Sequence, residues 1–108
     1  MNVVVAPAAL VDIVEARRWW EQNRHDAPDL LAEELAATLR ELPTVALSVA
    51  PFRRVAGLQV RRIHVPRVHR HIYFHVAPQG EIVVLAVWGA VRRVLPGLRE
   101  RVRSAPPR

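Results

Sequence analysis

The segment from Ile82 to Trp88 constrains the fold more than any other part of the chain. It reads Ile-Val-Val-Leu-Ala-Val-Trp and is bounded by Pro78-Gln79-Gly80 before it and by Gly89 after it. This length suits a β-strand and falls far short of the ~18 apolar residues that span a bilayer. A strand that is apolar on both faces must be covered on both faces. We therefore predict that this segment is a central strand of a sheet.

The first 43 residues predict a strand followed by two helices. Asn2 to Ala6 is a short β-branched strand, and Pro7 stands where a helix can begin without losing a hydrogen bond. Ala8 to Asn23 is the first helix, with an apolar stripe at helical spacing. The second helix is predicted from an N-cap at Asp26 to about Leu42, with Pro43 as its end. The predicted stripe of the first helix consists of Leu10, Ile13, Val14, Arg17 and Trp20, and that of the second consists of Leu31, Leu35, Thr38 or Leu39, and Leu42.

The remaining residues predict a small sheet. Thr44 to Gly57 is interpreted as a loop because Pro51 and Gly57 interrupt it. Leu58 to Val65, Val68 to Val76 and Glu81 to Trp88 are predicted strands. The fold class is therefore α+β: an N-terminal edge strand, an antiparallel helix hairpin, and a three-stranded antiparallel sheet. Residues 1–103 are predicted to form one domain and residues 104–108 a frayed tail.

The composition of the chain excludes some kinds of structural site and favours some kinds of partner. The chain has 108 residues, no cysteine, and a net charge of +6 that is carried by arginine alone. A disulfide framework and a thiolate metal site are therefore excluded, and no signal peptide or membrane span is predicted, which favours a cytoplasmic protein. The positive charge favours association with nucleic acid or with an acidic protein segment.

The predicted strand from Val68 to Val76 has an unusual polar face. Alternation places His69, His71, Tyr73 and His75 on one side. Histidine titrates near neutral pH, so these side chains are candidates for the acid and the base of a ribonuclease. Nearby arginines are candidates for binding phosphate, namely Arg61, Arg62, Arg92 and Arg93.

Two other interpretations of this face remain open. It is also compatible with an ordinary solvated strand surface in an arginine-rich protein. The spacing His69-x-His71-x-x-x-His75 suits zinc, but no Cys, Asp or Glu on that strand completes the ligand set, so no metal or other cofactor is expected. The basic run from Arg99 to Arg103 is interpreted as a solvated tail.

The tryptophans of the first helix are candidates for binding a partner. Trp20 follows the apolar stripe, whereas Trp19 lies off it and is expected to be exposed. An exposed aromatic side chain on a helix hairpin suits a protein interface.

The order of elements and several segments resemble the ParE/RelE toxin family of bacterial type II toxin–antitoxin modules. The resemblance covers nearly the whole chain. It depends on five segments: Val3-Val4-Val5 with Pro7-Ala8-Ala9, Glu15 to Asn23, Leu31 to Pro43, His71 to Val76, and Ile82 to Gly89 with Arg92-Arg93.

The family has two branches that differ in target. The RelE-like branch cleaves messenger RNA on the ribosome, and the ParE-like branch is associated with poisoning DNA gyrase. RNA-cleaving members commonly carry an arginine at the position of His71, and this chain lacks both lysine and the C-terminal tyrosine of that branch. The resemblance therefore favours the ParE-like branch.

The resemblance implies a toxin that binds an essential target, gyrase by resemblance, and that has no catalytic residues of its own. It would form a hetero-oligomer with an antitoxin that wraps the helix hairpin at Trp19 and Trp20. His69, His75, Arg61, Arg62 and Arg93 would then contact the target. One alternative is a metal-independent, ribosome-dependent endoribonuclease that uses His71, Tyr73 and Arg92. Another is a non-toxic binding module that kept only the fold.

Overall fold

A computed structural model of the chain describes residues 1–106. It contains five strands, three α-helices and two short 3-10 turns. The elements in chain order are β1 (Val3–Val5), α1 (Pro7–Asn23), α2 (Leu30–Val45), a 3-10 turn (Ala46–Ser48), β2 (Pro51–Val55), β3 (Leu58–Val65), a second 3-10 turn (Pro66–Val68), β4 (Arg70–Val76), β5 (Ile82–Gly89) and α3 (Leu98–Ser104).

The five strands form one sheet in the order β1-β5-β4-β3-β2. β1 pairs with β5 in parallel and lies at the edge, as predicted, while the other pairs are antiparallel. β5 lies between β1 and β4, and residues 82–87 are buried on both faces. The prediction of an α+β fold around this apolar strand is confirmed.

The sheet has one more strand than the sequence predicted. Pro51–Val55, interpreted as a loop, is the edge strand β2. An edge strand needs neither a complete hydrogen-bond ladder nor a buried face, so it can contain proline and arginine. These residues hide the alternating pattern by which a strand is predicted. Ala56 and Gly57 join β2 to β3 with φ angles of 49° and 83°. Two positive φ angles are what a type I′ hairpin turn requires.

Helix α2 buries the predicted leucines but has different ends. Leu31, Leu35 and Leu42 are buried, whereas the helix starts one residue after Asp29 rather than near Asp26 and continues through Pro43 to Val45. A proline removes one backbone hydrogen bond of a helix. Leu42 and Ala46, on either side of it, have no exposed surface, and their burial offsets that loss. Pro43 therefore does not end the helix.

Helix α1 presents a different face to the core from the predicted one. Leu10 and Val14 are each 53% exposed, and the buried side chains are Ala9, Asp12, Ala16 and Trp20. The small alanines let the helix backbone approach the sheet closely. Larger apolar side chains of α1 remain exposed to solvent, and two of them, Val11 and Trp19, line the groove described below.

Core side chains cover both faces of the sheet. One layer packs beneath α1 and α2 and contains Ile72, Phe74 and Val84. The second layer lies on the opposite face beneath α3 and contains Tyr73, Leu85 and Leu98. The pairing of β4 with β5 shifts between Tyr73 and Phe74, so that Leu85 is an extra residue in β5. This bulge lets β5 supply both layers.

The C-terminal helix α3 includes Arg99 to Arg103, which the sequence had suggested to be a solvated tail. It ends at Ser104, and Ala105 is buried in the second core layer. The rest of the predicted tail, positions 107–108, lies outside the described residues. None of the helices within residues 1–106 has the length and apolar character needed to cross a bilayer.

Candidate functional site

An open groove with a volume of about 770 Å³ lies between α1 and the C-terminal end of β5. Its lining is mostly apolar and also contains three arginines and two carboxylates, Asp12 and Glu15. The apolar lining includes Val11, Trp19, Val87, Trp88 and Val91, and the basic lining consists of Arg70, Arg92 and Arg101.

The groove exists because β1 is shorter than β5. The last residue of β1, Val5, pairs with Val84, and the Ala6 amide donates to the Val84 carbonyl at 3.0 Å. Beyond that point β5 has no strand neighbour on this side. Side chains complete its edge instead: the Val87 amide donates to Oδ2 of Asp12 at 3.0 Å, and Nη1 of Arg101 donates to the Leu85 carbonyl at 3.0 Å.

Asp12 and Arg101 also form a buried ion pair with each other. Nη1 of Arg101 lies 2.6 Å from Oδ2 of Asp12, and Nη2 lies 3.1 Å from Oδ1, so the contact is bidentate. Their side chains are 6% and 16% exposed. The pair joins α1, β5 and α3 and forms part of the groove lining. Arg101 therefore does not belong to a solvated tail, as the sequence had suggested, because a carboxylate 89 residues away holds it.

The two adjacent tryptophans of α1 have different environments. Trp19 lines the groove and is 50% exposed, while Trp20 is 2% exposed and donates from Nε1 to the Ala27 carbonyl at 2.7 Å. The prediction that Trp20 contacts a partner is therefore corrected, since its side chain lies in the core. Val11 at 55% exposure and Val91 at 83% join Trp19 as uncovered apolar side chains of the groove.

Trp88 and Arg92 lie in contact with each other in the lining of the groove. The guanidinium carbon of Arg92 lies 4.3 Å from the Trp88 ring centroid, within cation–π range. Trp88 is held by a 2.8 Å hydrogen bond from Nε1 to the Val94 carbonyl. Burial lowers the pKa of Arg70, and the positive charge of Arg92 lowers it further. Arg92 thus faces the groove, whereas Arg93 is exposed and does not line it.

His71 connects the groove to a second surface. It pairs with Trp88 on β5 and with His64 on β3, so the three side chains share one face of the sheet. The His64 and His71 rings are 5.0 Å apart between centroids. Burial lowers the pKa of His71 most, followed by the positive charge of Arg62 and by His64. Sequence reasoning missed His64, which becomes a neighbour only through the strand register.

The predicted row of four polar residues is not a single exposed face. Tyr73 is 1% exposed and packs edge-to-face on Phe52 at 5.6 Å, and His75 is 6% exposed. Burial lowers the pKa of His75, whose Nδ1 has no hydrogen-bond partner among residues 1–106. His69 precedes β4 in a left-handed conformation with φ of 51° and is exposed. Phe52 and the layer beneath α3 pack against Tyr73, which the sequence did not predict.

The four predicted phosphate-binding arginines are separated. Arg92 lines the groove, and Arg93 lies outside it. Arg61 is half-buried and donates to the Val49 carbonyl, while Arg62 lies 4.2 Å above the Phe52 ring. The three histidines proposed for zinc are not brought together, and residues 1–106 contain no group of three or more His, Cys, Asp or Glu side chains suited to a metal ion.

Comparison with known proteins identifies the fold. No family model matches the chain, and no curated protein matches it. One chain of a solved structure, described as a chromosomal ParDE TA system from P. aeruginosa, superposes with a TM-score of 0.68. The alignment has 18% identity and covers 82% of this chain and 95% of that chain. The chain has a ParE-like fold.

In this ParE-like fold the two surfaces meet at Trp88. The groove offers uncovered apolar side chains next to arginines, which is suited to binding an apolar segment that carries acidic residues. The surface at His71 and His64 offers two imidazoles beside Arg62, which is suited to proton transfer or to contact with an anion. Of the two surfaces, only the groove has the concave shape of a binding site.

Proposed function

We propose that this protein is the toxin of a toxin–antitoxin module and that the α1–β5 groove binds the antitoxin. The observation that carries the proposal is the exposure of Val11, Trp19 and Val91 around one groove that also contains Arg70 and Arg92. Apolar side chains grouped in this way favour coverage by another chain. The ParE-like fold and the ParDE description of its structural neighbour support a toxin role.

The chemistry of the groove indicates what the antitoxin segment contains. Trp19 and Val11 require apolar side chains opposite them, and an amphipathic helix presents such anchors three or four residues apart. Arg70 and Arg92 require carboxylates at one end of that segment. An acidic, partly apolar segment of this kind is disordered when free, because it cannot bury enough surface alone, and it orders on binding.

We further propose that the toxin inhibits growth by binding an essential protein, with DNA gyrase as the target suggested by the family resemblance. The burial of Tyr73 and His75 supports a mechanism without catalysis, since neither side chain has the exposure that contact with a substrate requires. The exposed surface at His64 and His71 would then contact the target, as would Arg93. Antitoxin in the groove would cover Trp88 and restrict access to His71.

One observation favours endoribonuclease activity as a second candidate. His71 has a lowered pKa and is therefore neutral at pH 7, which suits a general base, and His64 and Arg62 lie beside it. A 2′-hydroxyl proton could be removed by His71, with Arg62 facing the phosphate. Tyr73 has no part in this version because it is buried.

The groove is tested by expressing the chain with the product of its neighbouring gene. The chain alone should arrest bacterial growth, and co-expression of a small acidic partner should restore it. Trp19→Ala should weaken binding of that partner by about 30-fold or more, because large exposed aromatic side chains dominate interfaces of this type. Val11→Glu should do the same by placing a charge in the apolar wall.

A matched control separates the groove from general surface effects. Leu47 is 66% exposed and does not line the groove, so Leu47→Glu should leave partner binding unchanged. Normal growth on expression of the chain alone would remove both toxin candidates and favour a non-toxic binding module. Equal loss of binding in Leu47→Glu and Val11→Glu would remove the groove as the antitoxin site.

The target is tested in arrested cells. Altered DNA supercoiling with intact messenger RNA supports gyrase. Early messenger cleavage that disappears in the double variant His64→Ala, His71→Ala supports the endoribonuclease. Arrest with neither change would contradict both targets while leaving antitoxin binding at the groove intact.

A further inference from the structure

The charge of this protein is divided between the two halves of the chain. Residues 1–50 contain eight carboxylates and four arginines, a net charge of −4, whereas residues 51–108 contain two carboxylates and twelve arginines, a net charge of +10. The first half forms β1 and the helix hairpin, and the second half forms β2 to β5 and α3. Eight of these twelve arginines lie in the strands of the sheet or in α3, apart from the helix hairpin.

Part of this charge gathers at the far edge of the sheet from β1. Arg53, Arg54 and Arg99 line a shallow pocket with a volume of about 280 Å³, between the edge strand β2 and the start of α3. All three side chains are exposed. Among residues 1–106, no carboxylate forms an ion pair with any of them.

Two of these arginines are held in place by neutral contacts. Nη2 of Arg54 donates to the Gly57 carbonyl at 2.9 Å, and the guanidinium of Arg53 lies 4.8 Å from the Phe52 ring centroid. Neither contact neutralises a charge. The pocket thus holds like charges close together, which raises the local electrostatic potential and attracts an anion. The planar guanidinium group binds phosphate through two parallel hydrogen bonds.

The chemistry of the lining indicates which class of anion fits. Of the four apolar residues in the lining, Leu98 and Pro96 are buried and Val55 is half-buried, so Leu95, at 37% exposure, is the one exposed apolar side chain that the pocket offers. A stable protein interface needs a desolvated apolar or aromatic centre. A nucleic acid backbone binds through charge alone, by releasing condensed counterions. We infer that the arginine pocket between β2 and α3 binds the phosphate backbone of a nucleic acid, at a site separate from the α1–β5 groove.

The inference is tested with the full chain and two probes, a fluorescein-labelled 20-base-pair DNA duplex and a labelled 20-nucleotide single-stranded RNA. Three phosphate contacts predict that the logarithm of the binding constant falls with the logarithm of salt concentration with a slope of about −3 for the duplex. The triple variant Arg53→Gln, Arg54→Gln, Arg99→Gln should bind at least about tenfold more weakly at 50 mM salt, with a slope near zero. Preference for one probe identifies whether DNA or RNA is the ligand.

A control variant that loses the same number of positive charges elsewhere distinguishes binding at this pocket from an effect of net charge. The variant Arg17→Gln, Arg18→Gln, Arg40→Gln also removes three positive charges, but from exposed positions of the helix hairpin. It should retain the parent slope and most of the parent affinity. Equal weakening in both triple variants would overturn the inference, as would unchanged binding in the pocket variant. Polyglutamate that competes as well as the nucleic acid at equal charge would also overturn it, in favour of an acidic protein ligand. The pocket variant should still bind the antitoxin, so this result is independent of the groove.

Discussion

The ion pair between Asp12 and Arg101 provides the sharpest test of how this fold is held together. Asp12→Ala removes the carboxylate that accepts hydrogen bonds from Arg101 and from the Val87 amide. Arg101, with its side chain 16% exposed, then keeps its charge without a partner. Removing one partner of a buried pair costs about 3–5 kcal/mol. We include in this range the cost of leaving the Val87 amide without an acceptor, because the two losses come from the same carboxylate and do not add.

This cost is large compared with the stability of a small domain, which is about 5–15 kcal/mol. We expect the free energy of unfolding of Asp12→Ala to fall by about 4 kcal/mol. The measurement is urea denaturation followed by far-ultraviolet circular dichroism and by tryptophan fluorescence. The double variant Asp12→Leu, Arg101→Met removes both charges together, and it should be markedly more stable than Asp12→Ala, since no charge is left buried alone.

An exposed ion pair on the same helix is the control. Arg17 and Glu21 are 3.3 Å apart, with side chains 61% and 54% exposed, so Glu21→Ala should change the free energy of unfolding by no more than about 0.5 kcal/mol. A loss below about 1 kcal/mol in Asp12→Ala would refute the reasoning, because it would mean that solvent or a rearranged side chain neutralises Arg101. Equal destabilisation in the single and the double variants would refute the pairing itself.

Three further predictions concern titration and the β2–β3 turn. Burial lowers the pKa of His75, so the unfolded chain takes up a proton that the folded chain does not: stability should be complete above about pH 6.5 and fall as the pH drops toward the folded pKa. Between pH 7.5 and 5 the urea midpoint of His75→Leu should fall less than that of the parent chain. An equal fall would show that His75 does not cause the pH dependence of stability. Arg62→Ala should raise the pKa of His71 in an NMR titration, because the positive charge of Arg62 helps to lower it. The control Arg67→Ala should leave the pKa of His71 unchanged. A lower or unchanged pKa in Arg62→Ala would contradict the electrostatic role of Arg62. Ala56→Asn should stabilise the fold by about 0.5–1 kcal/mol, because asparagine tolerates the left-handed conformation of residue 56 better than alanine, and a lower melting temperature would count against the turn assignment.

The site was only partly accessible to sequence reasoning, and Trp19 and Trp20 show why. The sequence made both tryptophans candidates for binding a partner and expected Trp19 to be exposed; Trp19 is 50% exposed, whereas Trp20 lies in the core. Spacing alone could not show that Trp19 faces a groove, because the other wall comes from β5 and the segment after it. The division of charge between the two halves of the chain is a signal of the basic surface that the sequence itself contains.

The histidines show a different limit. Strict alternation from Val68 to Val76 placed His69, His71, Tyr73 and His75 on one exposed face. The strand begins only at Arg70, Tyr73 packs against Phe52 in the layer beneath α3, and His75 is buried as well. His64 is a further neighbour of His71, through a pairing between β3 and β4, beside the Tyr73 ring at 6.1 Å. Alternation gives the direction of a side chain, whereas exposure depends on what packs above it.

The sequence by itself determined the α+β class, the apolar strand at the centre of the sheet, the edge position of β1 and the leucine face of α2. Each follows from a local pattern: an apolar run, a turn signal or a helical period. Tertiary structure alone decided the α1–β5 groove, the pairing of Asp12 with Arg101, the burial of Tyr73 and the arginine pocket at β2. Each of these joins residues that are distant in the chain, and the free energy of such contacts depends on burial and register that no local pattern contains.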